Sequence, residues 1–197
     1  MNVLSQIRPA IVSMVFFTAL LGLGYPLAVT GIAQAVFPAQ ANGSLVTDKA
    51  GRTVGSGLIA QGFSQPGYLH PRPSAAGKGY DAAASSGSNY GPMNADYAAR
   101  VKADADALKA ESKAAIPVDA VTTSGSGLDP DISPAYAERQ VQRIADARGV
   151  TPARVREAIA ANTTRPTLGF IGQPRVNVLK VNLALDARLP AAHPPAR

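Results

Sequence analysis

The segment Ser124-Gly125-Ser126-Gly127 presents two hydroxyl groups between glycines, which makes it the part of the sequence most similar to a nucleophile loop. A serine nucleophile needs a base within hydrogen-bond reach. His70 could approach only through the fold, and the nucleophile-elbow pattern G-x-S-x-G is absent. We therefore interpret His70 as a polar loop residue and predict no hydrolytic triad.

Two carboxylates stand close together at Asp129 and Asp131, separated by a proline. They could form a carboxylate pair or part of a calcium loop, but the remaining calcium ligands are missing from the sequence. Turn formation and helix capping at Leu128-Asp129-Pro130 is the favoured interpretation. The chain has no Cys and only two His, at positions 70 and 193, so thiolate sites and the H-E-x-x-H zinc motif are excluded.

Nucleotide-binding patterns are equally weak. Gly77-Lys78 is followed by Gly79, so there is no phosphate-binding loop of the P-loop type. Gly55-x-Gly57-x-x-Ala60 fits the dinucleotide pattern in spacing but lacks the strand–turn–helix unit and the downstream acid. The sequence therefore predicts no catalytic residue, no cofactor-binding residue and no metal ligand.

The elements that would carry these residues form an α+β domain over 38–189. Short strands at 44–47 and 52–54 flank a turn and predict a hairpin. The sequence predicts three helices: one capped by Asn94 and ending by Pro117, one from Ser133 to Gly149, and one starting at Thr151. The residues expected on their buried faces are Tyr97, Val101, Ala105 and Leu108 in the first, Ala137, Val141, Ile144 and Ala145 in the second, and Val155 and Ile159 in the third.

Two stretches of this domain are ambiguous. Residues 61–93 are rich in Gly and Pro, which is typical of disorder, but the aromatic residues recurring through them could anchor an ordered loop. Residues 176–185 alternate like a half-buried strand, although a short helix would bury Val178, Leu179 and Asn182 together. We favour the strand. The tail 190–197 is expected to be frayed.

An uncharged stretch precedes the domain. Charged residues make up only 16% of the chain, and none occurs between Pro9 and Thr47. A bilayer core of about 30 Å needs roughly 20 apolar residues in a helix, so 10–37 can span a membrane. Pro26 inside the stretch predicts a kink. A cleaved signal peptide ending near Ala39-Gln40-Ala41 is the alternative, but its apolar region would normally be only about 7–15 residues long.

The charges around the span indicate its orientation. Arg8 precedes it, whereas all 13 acidic residues and 18 of the 19 basic residues follow Thr47. We expect residues 1–9 in the cytoplasm and the domain outside. The modest positive excess of the domain is scattered, which favours a solvated surface over a nucleic-acid interface. Small residues spaced along the span predict helix packing in the membrane at Thr18, Gly22, Gly24, Ala28, Gly31 and Ala35.

Four segments together resemble the C subunit of the bacterial Kdp potassium-transporting ATPase. They are RPSA (72–75), SSGSNYGP (85–92), SGSGLDPDIS (124–133) and VNVLKVNLALD (176–186). The resemblance covers nearly the whole chain, including the span and the order of the motifs. The family more often has Leu, Ala, His and Glu at the positions of Tyr90, Thr123, Asp131 and Gln173.

The resemblance implies a single-pass protein of the bacterial inner membrane with a periplasmic domain. The implied partners are a channel-like potassium-binding subunit, a P-type ATPase catalytic subunit and a small membrane subunit. ATP and potassium are used by the complex. The chain itself would be a non-catalytic subunit that acts as a catalytic chaperone and raises the ATP affinity of the ATPase subunit. An independent membrane-anchored binding or hydrolytic protein is the alternative.

The loops 85–92 and 124–129 lead to a hypothesis about the interface. Their glycines, hydroxyls and amides could contact the potassium-binding subunit near its outer entrance, or could only shape the domain's own fold. The interface hypothesis assigns contacts to Arg72, Ser85, Gly87, Ser88, Asn89, Gly91, Ser124, Gly125, Ser126, Gly127 and Asp129.

Overall fold

A computed structural model describes residues 3–48 and 50–189, with side chains from Gln6 onward. The described residues form two compact units that meet in sequence between Leu45 and Val46. The predicted tail 190–197, His193 and Lys49 lie outside the described residues.

The first unit is helical. Helix α1 (Val3–Phe17) continues through a π-helical segment (Thr18–Gly24) into α2 (Tyr25–Val36), and a short α3 (Pro38–Ala41) follows. Within it, Gln6–Val36 is long and apolar enough to cross a membrane, with a mean hydropathy of 1.9 and no buried residue in its most apolar window. Since a core helix would bury such side chains in its own domain, this exposure fits a segment whose surroundings are lipid or other membrane helices.

The π-helical segment ends at Gly24, two residues before Pro26. A proline has no N–H to donate to the carbonyl four residues earlier, and its ring crowds that carbonyl. The chain instead makes the wider i to i+5 pairing, in which Tyr25 N–H donates to Leu20 O. The proline therefore changes the hydrogen-bond pattern of the span and does not end it.

The second unit is α+β, as predicted. Strands β1 (Leu45–Thr47) and β2 (Thr53–Ser56) pair as the expected hairpin. A three-stranded antiparallel sheet has the order β3 (Asp131–Ile132), β5 (Arg175–Asn177), β4 (Thr163–Thr164). Four helices complete the unit: α4 (Ala95–Glu111), α5 (Pro134–Arg148), α6 (Pro152–Ala161) and α7 (Val178–Arg188).

Three of these helices begin where the sequence predicts. The side chains of Asn94 and Ser133 each accept a backbone N–H three residues later, and Thr151 precedes Pro152 without a side-chain cap bond. Helix α5 ends at Gly149, which adopts φ 65°, a conformation that glycine enters at little cost. The predicted inward faces of α5 and α6 are buried, whereas that of α4 is only half-buried.

Two predictions about element boundaries are wrong. Helix α4 ends at Glu111 with Ser112 as its C-cap, and Pro117 instead precedes a 3₁₀ turn at Val118–Ala120. The strand favoured over 176–185 exists only to Asn177. The Asn177 side chain accepts the Lys180 N–H at 3.1 Å and so caps α7. From there the chain is helical and buries the apolar side chains on one face of α7. This burial outweighs the apolar–polar alternation on which the strand prediction rested.

The core lies between α5, α6, α7 and β5. Its fully buried side chains include Ile144, Val155, Val176 and Leu185, and Leu69 joins them from the irregular segment. Asn182 of α7 holds Leu69 there, because its amide accepts the Leu69 N–H at 2.7 Å and donates to the Leu69 carbonyl at 2.9 Å. The segment 61–93 thus includes a core residue although it has no regular structure.

Candidate interaction site

Three irregular segments meet beside the sheet and form what we call the polar loop cluster, residues 72–76, 85–88 and 122–129. Arg72 connects the first and third segments. Its guanidinium donates to Asp129 Oδ2 at 2.9 Å and to the Thr122 and Thr123 carbonyls at 3.2 Å each. These charge-assisted hydrogen bonds hold the first segment in a fixed position against the third.

Ser74 extends the same connection. Its hydroxyl donates to the Gly127 carbonyl at 2.6 Å and accepts the Tyr80 N–H at 2.8 Å. The Tyr80 hydroxyl donates a hydrogen bond to the Arg72 carbonyl at 2.9 Å. Burial raises the pKa of Tyr80, so its hydroxyl stays a neutral donor at physiological pH. This tyrosine is one of the aromatic anchors expected of an ordered loop.

The second and third segments touch through their backbones. Ser126 O accepts both the Ser86 N–H and the Ser85 hydroxyl at 3.0 Å. Gly127 adopts φ +68°, and a Cβ there would lie 2.5 Å from the Ser86 carbonyl oxygen. A Cβ on Gly87 would lie 3.0 Å from the Gly125 carbonyl oxygen. These two glycines therefore allow the close approach of the two loops.

The serine hydroxyls of the third segment serve the turn itself. The Oγ atoms of Ser124 and Ser126 lie 3.4 Å apart. The Ser124 hydroxyl accepts the Asp129 N–H, and the Ser126 hydroxyl accepts the Leu128 N–H. His70 lies elsewhere, with its ring against the Gln65 carbonyl and the Arg143 guanidinium. Among the residues that the structure describes, no base hydrogen bonds with either hydroxyl. The arrangement stabilises a turn and does not activate a nucleophile.

The two carboxylates also have structural partners. Asp129 Oδ1 accepts the Asp131 N–H at 3.1 Å, which confirms the predicted turn at Leu128-Asp129-Pro130. Asp131 pairs with Arg175 at 2.9 Å and accepts from Asn177 at 3.0 Å. Within the described ranges 3–48 and 50–189, no group of three or more His, Asp or Glu residues could hold a metal ion.

The predicted interface residues thus separate by exposure. Arg72, Gly87, Ser88, Ser124, Gly127 and Asp129 are half-buried or buried and belong to the cluster's internal contacts. The exposed members are Ser85, Asn89, Gly91, Gly125 and Ser126.

Two clefts border the polar loop cluster. One, of about 490 Å³, lies between the first two segments and α4, with Ser74, Ser88 and Arg100 among its lining residues. The other, of about 500 Å³, lies between Arg72 and the strand entry at Gln173–Arg175. The sequence did not predict that Gln173–Arg175 form one wall of this cleft, although the glycines and prolines of 166–174 indicated a turn.

A third cleft of about 610 Å³ lies beside α5 and was also missed. Burial lowers the pKa of His70, and the charge of neighbouring Arg143 lowers it further. Burial also lowers the pKa of Arg143 itself and raises that of Tyr136 to about 12. The lowered pKa keeps His70 neutral near pH 7, and the raised pKa of Tyr136 extends its neutral form to more alkaline pH.

The model of the family "K+-transporting ATPase, c chain" matches residues 7–187. The chain belongs to this family. Residues 3–48 and 50–189 therefore show the fold of a family member, and the chain is an accessory subunit of a potassium transport complex.

Curated relatives agree with the family match along the whole chain. A protein of Caulobacter sp. (strain K31) named "Potassium-transporting ATPase KdpC subunit" is 67% identical over 189 residues, covering 95% of this chain and 96% of its own. Proteins with the same name from Beijerinckia indica and Myxococcus xanthus are 59% and 53% identical, and the matches cover 98% and 97% of this chain and 98% and 92% of theirs. Within residues 3–48 and 50–189, one helix is long and apolar enough to span a membrane, which fits a single-pass membrane protein.

Proposed function

We propose that the chain is a non-catalytic subunit of a high-affinity, ATP-driven potassium import complex. It assists assembly and acts as a catalytic chaperone that raises the ATP affinity of the P-type ATPase subunit. Family membership over residues 7–187 carries this proposal. The polar loop cluster supports it, because its hydroxyls and carboxylates are engaged in holding loops and not in activating a nucleophile.

The proposed partners are a channel-like potassium-binding subunit, the P-type ATPase subunit and a small membrane subunit. Potassium and ATP are bound by these partners in this proposal, and this chain binds neither as a cofactor. The span packs against membrane helices of a partner through Thr18, Gly22, Gly24, Ala28, Gly31 and Ala35. At Gly31 an added Cβ would meet nothing within 4 Å, so a neighbouring helix has room to approach closely.

The domain is proposed to be periplasmic in the bacterial inner membrane. The absence of Cys allows a direct test, because one introduced thiol is the only reactive one. Ala99 is exposed on α4 and suits an Ala99→Cys variant. A membrane-impermeant maleimide should label it in intact spheroplasts. Labelling only after lysis would contradict the orientation.

Because ATP is cytoplasmic, a periplasmic domain would influence ATP affinity through the conformation of its partners. The test is the KM for ATP of the potassium-dependent ATPase, purified in mild detergent with and without this chain. We expect a lower KM and co-purification of the larger subunits when the chain is present. An unchanged KM would remove the chaperone role, and failure to co-purify would remove the subunit role.

We also propose that the exposed parts of the loops 85–92 and 124–129 contact the potassium-binding subunit near its outer entrance. Bulky replacements at Asn89 and Ser126 would test this, but Asn89 adopts φ 52° and the Ser126 hydroxyl supports a turn. Gly91 and Gly125 are better positions, since an added Cβ at either meets nothing within 4 Å.

Gly91→Trp and Gly125→Trp should weaken assembly while the domain keeps its thermal unfolding midpoint. The matched control is Ala99→Trp, which introduces the same side chain at an exposed position of α4. Assembly and transport at the wild-type level in the Gly91→Trp/Gly125→Trp double variant would leave these loops with a purely structural role.

A further inference from the structure

His70 lies where the irregular segment passes along helix α5, and α5 holds its backbone at two points. Gln140 accepts the His70 N–H at 2.8 Å and donates to the His70 carbonyl at 3.1 Å. The ring has two close neighbours of its own. Its Nε2 lies 3.0 Å from the Gln65 carbonyl oxygen and 3.2 Å from Arg143 Nη1. The imidazole is therefore enclosed between a carbonyl and a guanidinium.

The hydrogen bonds of Arg143 decide which nitrogen of the neutral ring carries the proton. Arg143 Nη1 has two protons, which it donates to the Pro66 carbonyl at 2.7 Å and the Tyr68 carbonyl at 3.1 Å. Neither proton remains for His70 Nε2, so we assign the ring proton to Nε2, which donates it to the Gln65 carbonyl. Neutral His70 and Arg143 thus satisfy three carbonyls of one turn together.

A second proton on the His70 ring would disturb this arrangement. It would place a positive charge 3.2 Å from a guanidinium nitrogen of Arg143, where like charges repel. Moving the ring away from Arg143 relieves the repulsion but breaks the bond to the Gln65 carbonyl. That carbonyl also accepts the Tyr68 N–H at 3.1 Å, so the turn at 65–68 loses one of the contacts that fix it to α5.

The other groups around the ring do not cancel the effect of Arg143. Burial is the largest cause that lowers the pKa of His70, and the Arg143 charge lowers it further. The Gln65 carbonyl and the Glu111 carboxylate act in the opposite direction, and the net pKa is lowered. Both carboxylates of the cleft are exposed, so water screens them. The titratable and charged residues that line the cleft with His70 are Glu111 from α4 and Tyr136, Arg139, Arg143 and Asp146 from α5.

We propose that His70 is a proton-sensitive latch, which holds residues 65–70 on α5 while its ring is neutral and loosens them when the ring is protonated. Arg72 follows two residues later and begins the polar loop cluster. Acid therefore loosens the stretch of chain that enters this cluster. The latch is a property of the domain itself, so it goes beyond the proposed function and does not depend on it.

The direction of the pH effect follows from the protonation state that the fold holds. The folded domain favours the neutral ring, whereas an unfolded chain binds the proton at the ordinary pKa of 6.5. The stability that the latch contributes is therefore complete above pH 6.5 and is lost as pH falls through the lowered pKa of the folded state. Ordinary carboxylates titrate only near about pH 4, so a comparison of pH 7.5 with pH 5.0 isolates the histidine.

The first test is amide hydrogen exchange of the full-length chain in detergent at pH 7.5 and pH 5.0, corrected for the intrinsic pH dependence of exchange. Peptides covering 65–70 should lose protection at pH 5.0, by up to about tenfold for each unit that the pKa of folded His70 lies below 6.5. Peptides from the middle of α5 should keep their protection. Equal protection of 65–70 at both pH values would overturn the proposal.

His70→Gln identifies the sensor in the same experiment. Its amide can still donate to the Gln65 carbonyl but does not titrate, so protection at pH 7.5 should remain and the fall at pH 5.0 should disappear. His193→Gln is the matched control, because His193 is the only other histidine of the chain, and it should keep the fall seen in the wild type. The same fall in His70→Gln, or its loss in His193→Gln, would contradict the latch.

A second measurement does not require any change at His70. With imidazole carbons labelled, the wild-type chain gives two histidine signals in NMR, and His193→Gln shows which of them belongs to His70. The His70 signal should titrate with a midpoint below 6.5. A midpoint at or above 6.5 would mean that the folded domain does not favour the neutral ring, and the proposal would be wrong.

Discussion

Arg148 connects three parts of the domain, and its replacement is the most quantitative test of the fold. The side chain is 1% exposed at the end of α5. Its guanidinium donates to the Gly67 carbonyl at 2.6 Å, the Leu189 carbonyl at 2.7 Å and Asp186 Oδ1 at 2.8 Å. It also lies over the Tyr68 ring, 5.0 Å from the centroid. Arg148 thus ties the end of α5 to the irregular segment and to the C-terminal end of α7.

Arg148→Met keeps the apolar stem and removes every one of these donors. Two backbone carbonyls lose a charged donor, and each such hydrogen bond contributes about 1.5–3 kcal/mol. Asp186 is 48% exposed and can be rehydrated, so its loss adds less. Two such carbonyl bonds together give an expected loss of about 3–6 kcal/mol in the free energy of unfolding. For a protein of this length that lowers the unfolding midpoint by about 6–24 °C.

The assay is thermal unfolding of the full-length chain in detergent, followed by circular dichroism. Arg156→Met is the matched control, because Arg156 pairs with Glu138 at 2.7 Å, nearly the same distance, but both side chains are more than half exposed. Solvent screens such a pair, and its unfolding midpoint should stay close to that of the wild type. Equal shifts in the two variants would refute the reasoning that burial, not pairing, gives Arg148 its effect.

Three further outcomes are expected. Gly127→Ala should cost about 1–3 kcal/mol of stability in unfolding experiments because φ is +68° and the new Cβ would meet Ser86, whereas Gly125→Ala should cost nothing measurable. Asn182→Ala should cost about 2–5 kcal/mol, since the buried Leu69 N–H and carbonyl both lose their partner. Burial raises the pKa of Tyr136 from 10.0 to about 12, so the contribution of the neutral Tyr136 to stability is complete below pH 10 and falls as pH rises toward 12. The stability of Tyr136→Phe should therefore lack this fall between pH 10 and 12. An identical pH profile in the variant and the wild type would contradict the prediction.

Local signals predicted three of the domain's helices and the β1–β2 hairpin, but not helix α7. The caps Asn94 and Ser133 and the stop at Gly149 are properties of a few adjacent residues, and the structure confirms each. The segment after β5 has no equally strong local signal. There, alternation and helical spacing both fit the sequence, and packing of Val181 and Leu185 into the core selected the helix.

The candidate site was predicted in part. The sequence indicated that 85–92 and 124–129 are loops that either contact a partner or shape the domain's own fold, and the structure brings them together through Ser126 and Gly127. The sequence did not indicate that Arg72 pairs with Asp129, because the two residues are distant in the chain. The exposed apolar side chains of the turn at 166–171, Leu168 and Phe170, were missed because a short apolar run in a loop resembles a short buried strand in sequence.

The sequence by itself determined the apolar span, the α+β class and the family, since each depends on composition, periodicity or ordered motifs within short stretches. Only the tertiary structure decided which polar residues are used internally and which remain available. Arg72 and Asp129 satisfy each other at 2.9 Å, while Leu168 and Phe170 stay in solvent. The physical reason is that burial and hydrogen-bond satisfaction depend on what the fold places opposite a residue, and those neighbours come from distant parts of the chain.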